Sequence, residues 1–259
     1  IPLRGNSMKI QQSLITLAAA LCLAAVTPAA CAAEDDGGWD WVVAPYVWAT
    51  TVSTDLETTQ PPIIGGSVET DFSGIIDKLD GAFLIHAEGQ GDDFGVLADF
   101  IYLGLASGKE RPVFTTDSDL DTTVFELAGV WSPGEERYKG IEVLAGMRSI
   151  NVELNVNIDP TDNPQLPSAN VNVDANFTDF MVGARYIWDV SERWNMSVRG
   201  DMSFGDTEGT WNVNAMAQYK MKRGAWAFGY RHMDVAVEPG DKKIDLVMSG
   251  PVIGYAFHF

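Results

Sequence analysis

Several things are scarce in this chain. Its 259 residues hold two cysteines, Cys22 and Cys31, and none follows, so the bulk of the chain has no disulfide and no thiolate metal site. Basic residues are few: 17 Lys and Arg stand against 36 Asp and Glu. Nucleic acid is thereby excluded as a partner, because binding it needs clustered positive charge. After Val26 no apolar run approaches the roughly 18 residues that a membrane-spanning helix requires, so a membrane location demands a closed barrel of strands. Neither G-x-S-x-G nor H-E-x-x-H occurs, which removes the commonest signatures of a serine or zinc hydrolase.

What is present starts with a targeting segment. Residues 1–7 are not read as a native start, and Met8 is. Lys9, an apolar stretch from Leu14 to Val26, Pro28 and the run Ala29-Ala30-Cys31-Ala32 have the order of a secretory signal. The apolar stretch is too short to span a bilayer as a helix, and Ala30-Cys31-Ala32 fits cleavage before Ala33. Lipidation of Cys31 is the rival, disfavoured by Pro28. We therefore expect residues 8–32 to be a signal peptide and 33–259 to be one β domain. Arg4 and Lys9 leave with the signal and no acid does, so the remainder is more acidic still, at 15 basic residues (17 less two) against 36 acidic ones.

From Trp39 onward the chain alternates apolar and polar residues in ten segments: 39–54, 81–90, 94–106, 120–132, 141–158, 171–188, 194–205, 210–221, 225–237 and 244–259. In one of them Trp194, Met196, Val198, Met202 and Phe204 fall on one face, with Asn195, Ser197, Arg199, Asp201 and Ser203 on the other. A one-residue slip would exchange the faces, so the register is strongly specified. Short connections at 91–93, 189–193 and 222–224 alternate with long ones at 55–80, 107–119 and 159–170, the pattern of periplasmic turns and outer loops. Trp39, Trp41, Trp131, Trp188, Trp194 and Trp226 all fall at the short-turn ends, forming an interfacial girdle. Pro251, Ile253, Tyr255, Phe257 and Phe259 share the face of a final strand ending in Phe, a recognition signature for the barrel-assembly machinery. The fold expected is all-β, a transmembrane antiparallel up-and-down barrel of about ten strands. Eight or twelve remain open if 68–79 hides a strand or two segments pair as a loop hairpin.

The segments Ala44-Pro45-Tyr46-Val47-Trp48, 97–103 (LADFIYL), Gly183-Ala184-Arg185-Tyr186, Arg199-Gly200-Asp201, Gly229-Tyr230-Arg231 and 249–254 (SGPVIG) resemble those of a widespread, functionally uncharacterised proteobacterial family of outer-membrane barrel proteins. The resemblance covers nearly all of 33–259 and implies the outer-membrane location and the barrel fold. It carries no settled activity. One departure is His232-Met233-Asp234, where relatives tend to have a further aromatic residue.

Gly-x-Arg recurs at Gly146/Arg148, Gly183/Arg185 and Gly229/Arg231. By parity with the aromatic face these arginines point inward, with Arg199 and Lys220, and share the lumen with Glu88, Asp99, Glu126, Glu142, Asp179 and Asp201. Unpaired charge in a narrow lumen is costly, so a paired network that plugs the barrel is expected. A narrow channel for small solutes along the same arginines is the alternative. The acidic stretch Asp117, Asp119, Asp121 lacks the Gly and bidentate Glu of a calcium loop and reads as a solvated face bridged to lipopolysaccharide by divalent ions. His86 with Glu88 reads as a satisfied polar pair. No metal or cofactor site is expected, and the partners are outer-membrane lipids and lipopolysaccharide around a monomer. The one enzymatic constellation lies in the last hairpin. If Val237 pairs with Ile244, then His232 lies opposite Ser249 on the lipid side with Asp234 two residues on, an arrangement that could serve a lipid hydrolase.

Overall fold

A computed structural model describes residues 38–58, 65–70, 72–110, 114–134, 136–160, 169–238 and 242–259. The expected signal segment lies outside the described residues. The strands are β1 (Asp40–Trp48), β2 (Thr51–Thr58), β3 (Gly65–Thr70), β4 (Leu79–Gln90), β5 (Phe94–Glu110), β6 (Phe114–Trp131), β7 (Gly140–Pro160), β8 (Ala169–Asp189), β9 (Trp194–Gly205), β10 (Gly209–Met221), β11 (Gly224–Val237) and β12 (Lys242–His258), with a short helix α1 (Phe72–Ile76) between β3 and β4. Neighbours β1, β4, β5 and onward to β12 pair antiparallel in chain order, and β12 returns to β1, for example at Val47 opposite Ile253. The result is a closed ten-stranded barrel, and closure leaves no edge strand to template aggregation.

The segment expected as one strand at 39–54 is interrupted. β1 and β2 keep one register on β12, with Trp48 opposite Val252 and Thr51 opposite Ser249. The break at Ala49 and Thr50 faces Gly250 and Pro251, and proline has no N–H to give to the ladder. β3 adds to β2 alone (Ser53 opposite Glu69), so it is a hairpin appended to the wall and the barrel count stays at ten. No ladder joins β3 to β4 among the described residues.

The burial pattern is inverted relative to a soluble sandwich. On β9, Met202 is 58% exposed while neighbouring Asp201 is 6% exposed. Strands β6 to β11 repeat this: Trp131, Ile141, Val143, Phe180, Phe204 and Trp226 are exposed, while Glu126, Glu142, Arg148, Asp179 and Arg231 are buried. An outward apolar belt of this extent far exceeds the patches that soluble monomers tolerate. It is the arrangement of a transmembrane barrel.

The two rims differ. The terminal rim carries Trp39 and the connections 91–93, 132–139, 190–193 and 222–223, and the six tryptophans expected there all point outward at this end. Pairs stack along the girdle, Trp39 on Trp41 at 5.8 Å and Tyr186 on Trp188 at 5.6 Å between centroids. The distal rim corrects the expected loop at 107–119, while the strand ends expected at 158 and 171 are met within two residues. Residues 107–110 and 114–119 are ladder, with Ser107 opposite Ser118 and Glu110 opposite Thr115, and β7 and β8 pair as far as Ile158 opposite Ala169. The backbone ladder continues because its hydrogen bonds do not depend on side-chain polarity.

Candidate functional site: a buried charge belt above a cavity

The inward residues of β4 to β11 bring four arginines and five carboxylates together. Arg148, fully buried, donates from Nε and Nη2 to Glu126 Oε1 at 3.0 and 2.8 Å, from Nη2 to Asp201 Oδ1 at 2.5 Å and from Nη1 to Ser203 Oγ at 3.2 Å. Glu126 is the hub. It also accepts from Arg199 Nη2 at 2.9 Å and from Arg231 Nη2 at 3.0 Å. Arg231 donates from Nε to Asn212 Oδ1 at 2.9 Å, and Asn212 passes a hydrogen bond to Asp201 at 2.8 Å. The guanidinium of Arg231 lies 5.2 Å over the ring of Trp48, a favourable cation–π placement.

A second centre adjoins the first. Arg185 donates to both oxygens of Glu88 and from Nε to Glu142 Oε2 at 2.5 Å. His86 joins the two centres, its ring nitrogens 3.3 Å from Glu88 and 3.2 Å from Asp99. Asp99 also accepts from the Tyr46 hydroxyl at 2.7 Å and sits 3.5 Å from Arg231. The expected pairing of His86 with Glu88 is present and extends to Asp99.

Two expected members sit elsewhere. Asp179 lies opposite Arg148 in register, yet its carboxylate accepts from Ser203 Oγ at 3.0 Å, Thr207 Oγ1 at 2.5 Å and the Thr207 backbone N–H at 3.0 Å. Ser203 on β9 and Thr207 in the 206–208 turn supply those donors, while Asp201 and Glu126 engage Arg148. Lys220 has inward parity but sits at the terminal rim, bonded to Asp189 at 2.7 Å with both side chains solvated. It is not part of the belt. Sequence reasoning missed Tyr46, Ser203, Thr207 and Asn212. Parity puts Ser203 and Asn212 on the inner face without marking them as partners of the charges, whereas Thr207 lies in a turn and carries no periodic signal.

The Gly-x-Arg repeat has a steric cause. A Cβ on Gly146 would lie 2.0 Å from the Leu127 carbonyl oxygen, one on Gly183 2.5 Å from Asp201 Cβ, and one on Gly229 2.3 Å from the Ala215 carbonyl oxygen. Neighbouring strands approach closely where the small barrel bends, and only glycine fits there.

The lumen is layered, which corrects the expectation of a wholly polar plug. One step distal to the belt on the same faces stand Trp48, Ile101, Val124, Ile150 and Met233, a buried apolar cluster. Each lies two residues from a belt residue on its own strand: Tyr46, Asp99, Glu126, Arg148 and Arg231. On the terminal side Leu97, Val130 and Leu144 form a smaller cluster. Also on the terminal side of the belt lies a cavity of about 400 Å³. Residues 136–139 line its mouth: Arg137 binds Asp40 at 3.1 Å and Asp92 at 2.7 Å, and Tyr138, at φ 54°, donates its hydroxyl to the Asp40 carbonyl at 2.7 Å. Burial raises the Tyr138 phenol well above the usual range.

In the last hairpin the register is as expected: His232 opposes Ser249, Trp226 opposes Tyr255 and Phe228 opposes Ile253. The chemistry is not assembled. The His232 ring stacks on Trp211 at 4.6 Å, and no hydrogen bond links Ser249, His232 and Asp234 among the described residues.

No family model and no curated protein matches the sequence. Among solved structures the chain is similar to the outer membrane protease OmpT from Escherichia coli, with 9% identity and a TM-score of 0.55 over 88% of this chain and 99% of that one. The attachment invasion locus protein Ail of Yersinia pestis aligns at 10% identity with a TM-score of 0.37, over 86% and 100% of the two chains. The toluene transporter TodX of P. putida aligns at 8% with 0.33, over 88% and 91%. Backbone geometry is shared with the first of these and sequence is not, so the likeness is one of fold: the chain has the closed antiparallel architecture of an outer-membrane β-barrel.

Proposed function

We propose that this protein spans the Gram-negative outer membrane as a barrel closed to solutes, a non-enzymatic envelope protein with both termini in the periplasm. The observation that carries the proposal is the cross-section at the belt. Arg148 and Glu126 are 0% exposed, each is bonded to several partners from other strands, and an apolar layer lies directly distal to them. An ion crossing this section would have to displace paired charges and then enter an unhydrated apolar layer, and desolvating an ion costs several kcal/mol or more. The outward apolar belt and the tryptophan girdle support the membrane location, and the aromatic face of β12 supports delivery by the barrel-assembly machinery.

Planar-bilayer recording of the refolded protein tests this directly. Wild type is expected to stay silent, while Arg148→Ala with Glu126→Ala opens a measurable leak. Steady ion-selective conductance by the wild-type protein would overturn the proposal and favour a narrow channel along the arginines.

A further inference from the structure

The cavity on the terminal side of the belt has two unlike walls. Asn195 and Ser197 of β9 and Asn214 and Gln218 of β10 face it, with Gln218 directly opposite Asn195 in the ladder. All four are half-buried, and among the described residues none of their side chains makes a hydrogen bond. Across from them β1, β11 and β12 contribute small apolar side chains, among them Ala44 and Ala227. The small residues are what leave the space open. Its volume falls within the range of roughly 300–1,000 Å³ typical of small-molecule sites, which pair an apolar lining with a few placed polar groups.

The charges around the cavity are already committed. Arg185 and Arg231 hold carboxylates of the belt, and Arg137, Lys139 and Lys220 hold Asp40, Asp92, Glu136 and Asp189 at the rim. A charged ligand would find no free counter-charge and would lose its hydration. The unspent capacity belongs to amides, a hydroxyl and the His258 ring, which burial keeps neutral, and each of these both donates and accepts. A neutral saccharide fits this pairing, since its hydroxyl edge both donates and accepts and its C–H face is apolar.

We infer that this cavity is a binding site, open to the terminal rim, for a neutral saccharide of up to about disaccharide size. The site is a dead end, because the belt closes its distal side, so it holds its ligand and does not pass it. The inference stands apart from the closed-barrel proposal, whose test is conductance.

The test is ligand-observed saturation-transfer NMR on protein refolded in a sugar-free zwitterionic detergent, with maltose as the neutral probe and glucuronate and glucosamine as charged ones. Wild type is expected to bind maltose saturably below about 10 mM and to bind each charged probe about tenfold more weakly. Asn214→Leu with Gln218→Leu removes polar capacity, and Ala227→Phe fills the space. Each is expected to abolish the maltose signal while the protein still shows heat-modifiable migration on gels, and if the leucine variant fails to fold the phenylalanine variant decides. Absent saturation in wild type, tighter binding of a charged probe, or undiminished maltose binding in the folded variants would each overturn the inference.

Discussion

At the residue scale, Glu126 decides most. Three arginines from three strands converge on its two oxygens, so loss of any one arginine leaves a carboxylate short of a partner in a site water does not reach. Breaking a buried pair by removing one side costs about 3–5 kcal/mol. We expect Arg148→Ala to lower unfolding stability by about that amount, read as a shift of the urea midpoint in detergent. Lys220→Ala, at the solvated rim, should cost no more than about 1 kcal/mol. Equal midpoints for the two variants would show that the belt contributes no special stability. His232 sits on Trp211 and not on Ser249, so Ser249→Ala should leave lipid turnover by membranes containing the protein unchanged. A fall in phospholipid hydrolysis on that substitution would revive the hydrolase.

At the element scale, strand curvature and strand length are set by different residues. Gly146 on β7 has the carbonyl oxygen of Leu127 where a side chain would begin, so Gly146→Val must push β6 and β7 apart at the level of the belt. That variant should assemble poorly, visible as loss of the heat-modifiable folded band, whereas Gly200→Val, where a Cβ would meet nothing nearer than 3.9 Å, should assemble normally. The distal extension of β7 and β8 behaves oppositely. Its outward face carries Asn155, Asn172 and Asp174 in place of the apolar belt, so bilayer burial does not hold it. Replacing 155–172 by a two-residue turn is expected to leave the folded band intact, and failure to assemble would mean that the extension nucleates the barrel.

At the scale of the whole molecule, the inside-out burial pattern and the two unlike rims define an orientation. With the girdle and the turns 91–93, 190–193 and 222–223 on the periplasmic side, exposed Asp174 faces the medium and exposed Glu192 the periplasm. Asp174→Cys should label with an impermeant maleimide on intact cells, and Glu192→Cys only after the outer membrane is breached. The reverse result would invert the topology.

The division between sequence and tertiary structure follows from what each interaction depends on. Strand identity, face and count were legible because period 2 is a local property, and the register of the last hairpin, including His232 opposite Ser249, could be computed from one pair, Val237 with Ile244. Inward parity likewise placed nine of the eleven expected lumen charges in the belt as paired charges. Parity names a face and says nothing of height along the barrel axis. Height assigned Lys220 to the rim, gave Asp179 to the 206–208 turn and stacked Trp48, Ile101 and Val124 into an apolar seal. It depends on strand tilt and on the closure of β12 onto β1, and these arise only when all ten strands are in place. The polar extensions of β5 and β6 were illegible for a related reason: a polar stretch without apolar contrast looks like loop, and only backbone pairing between neighbours reveals it as sheet.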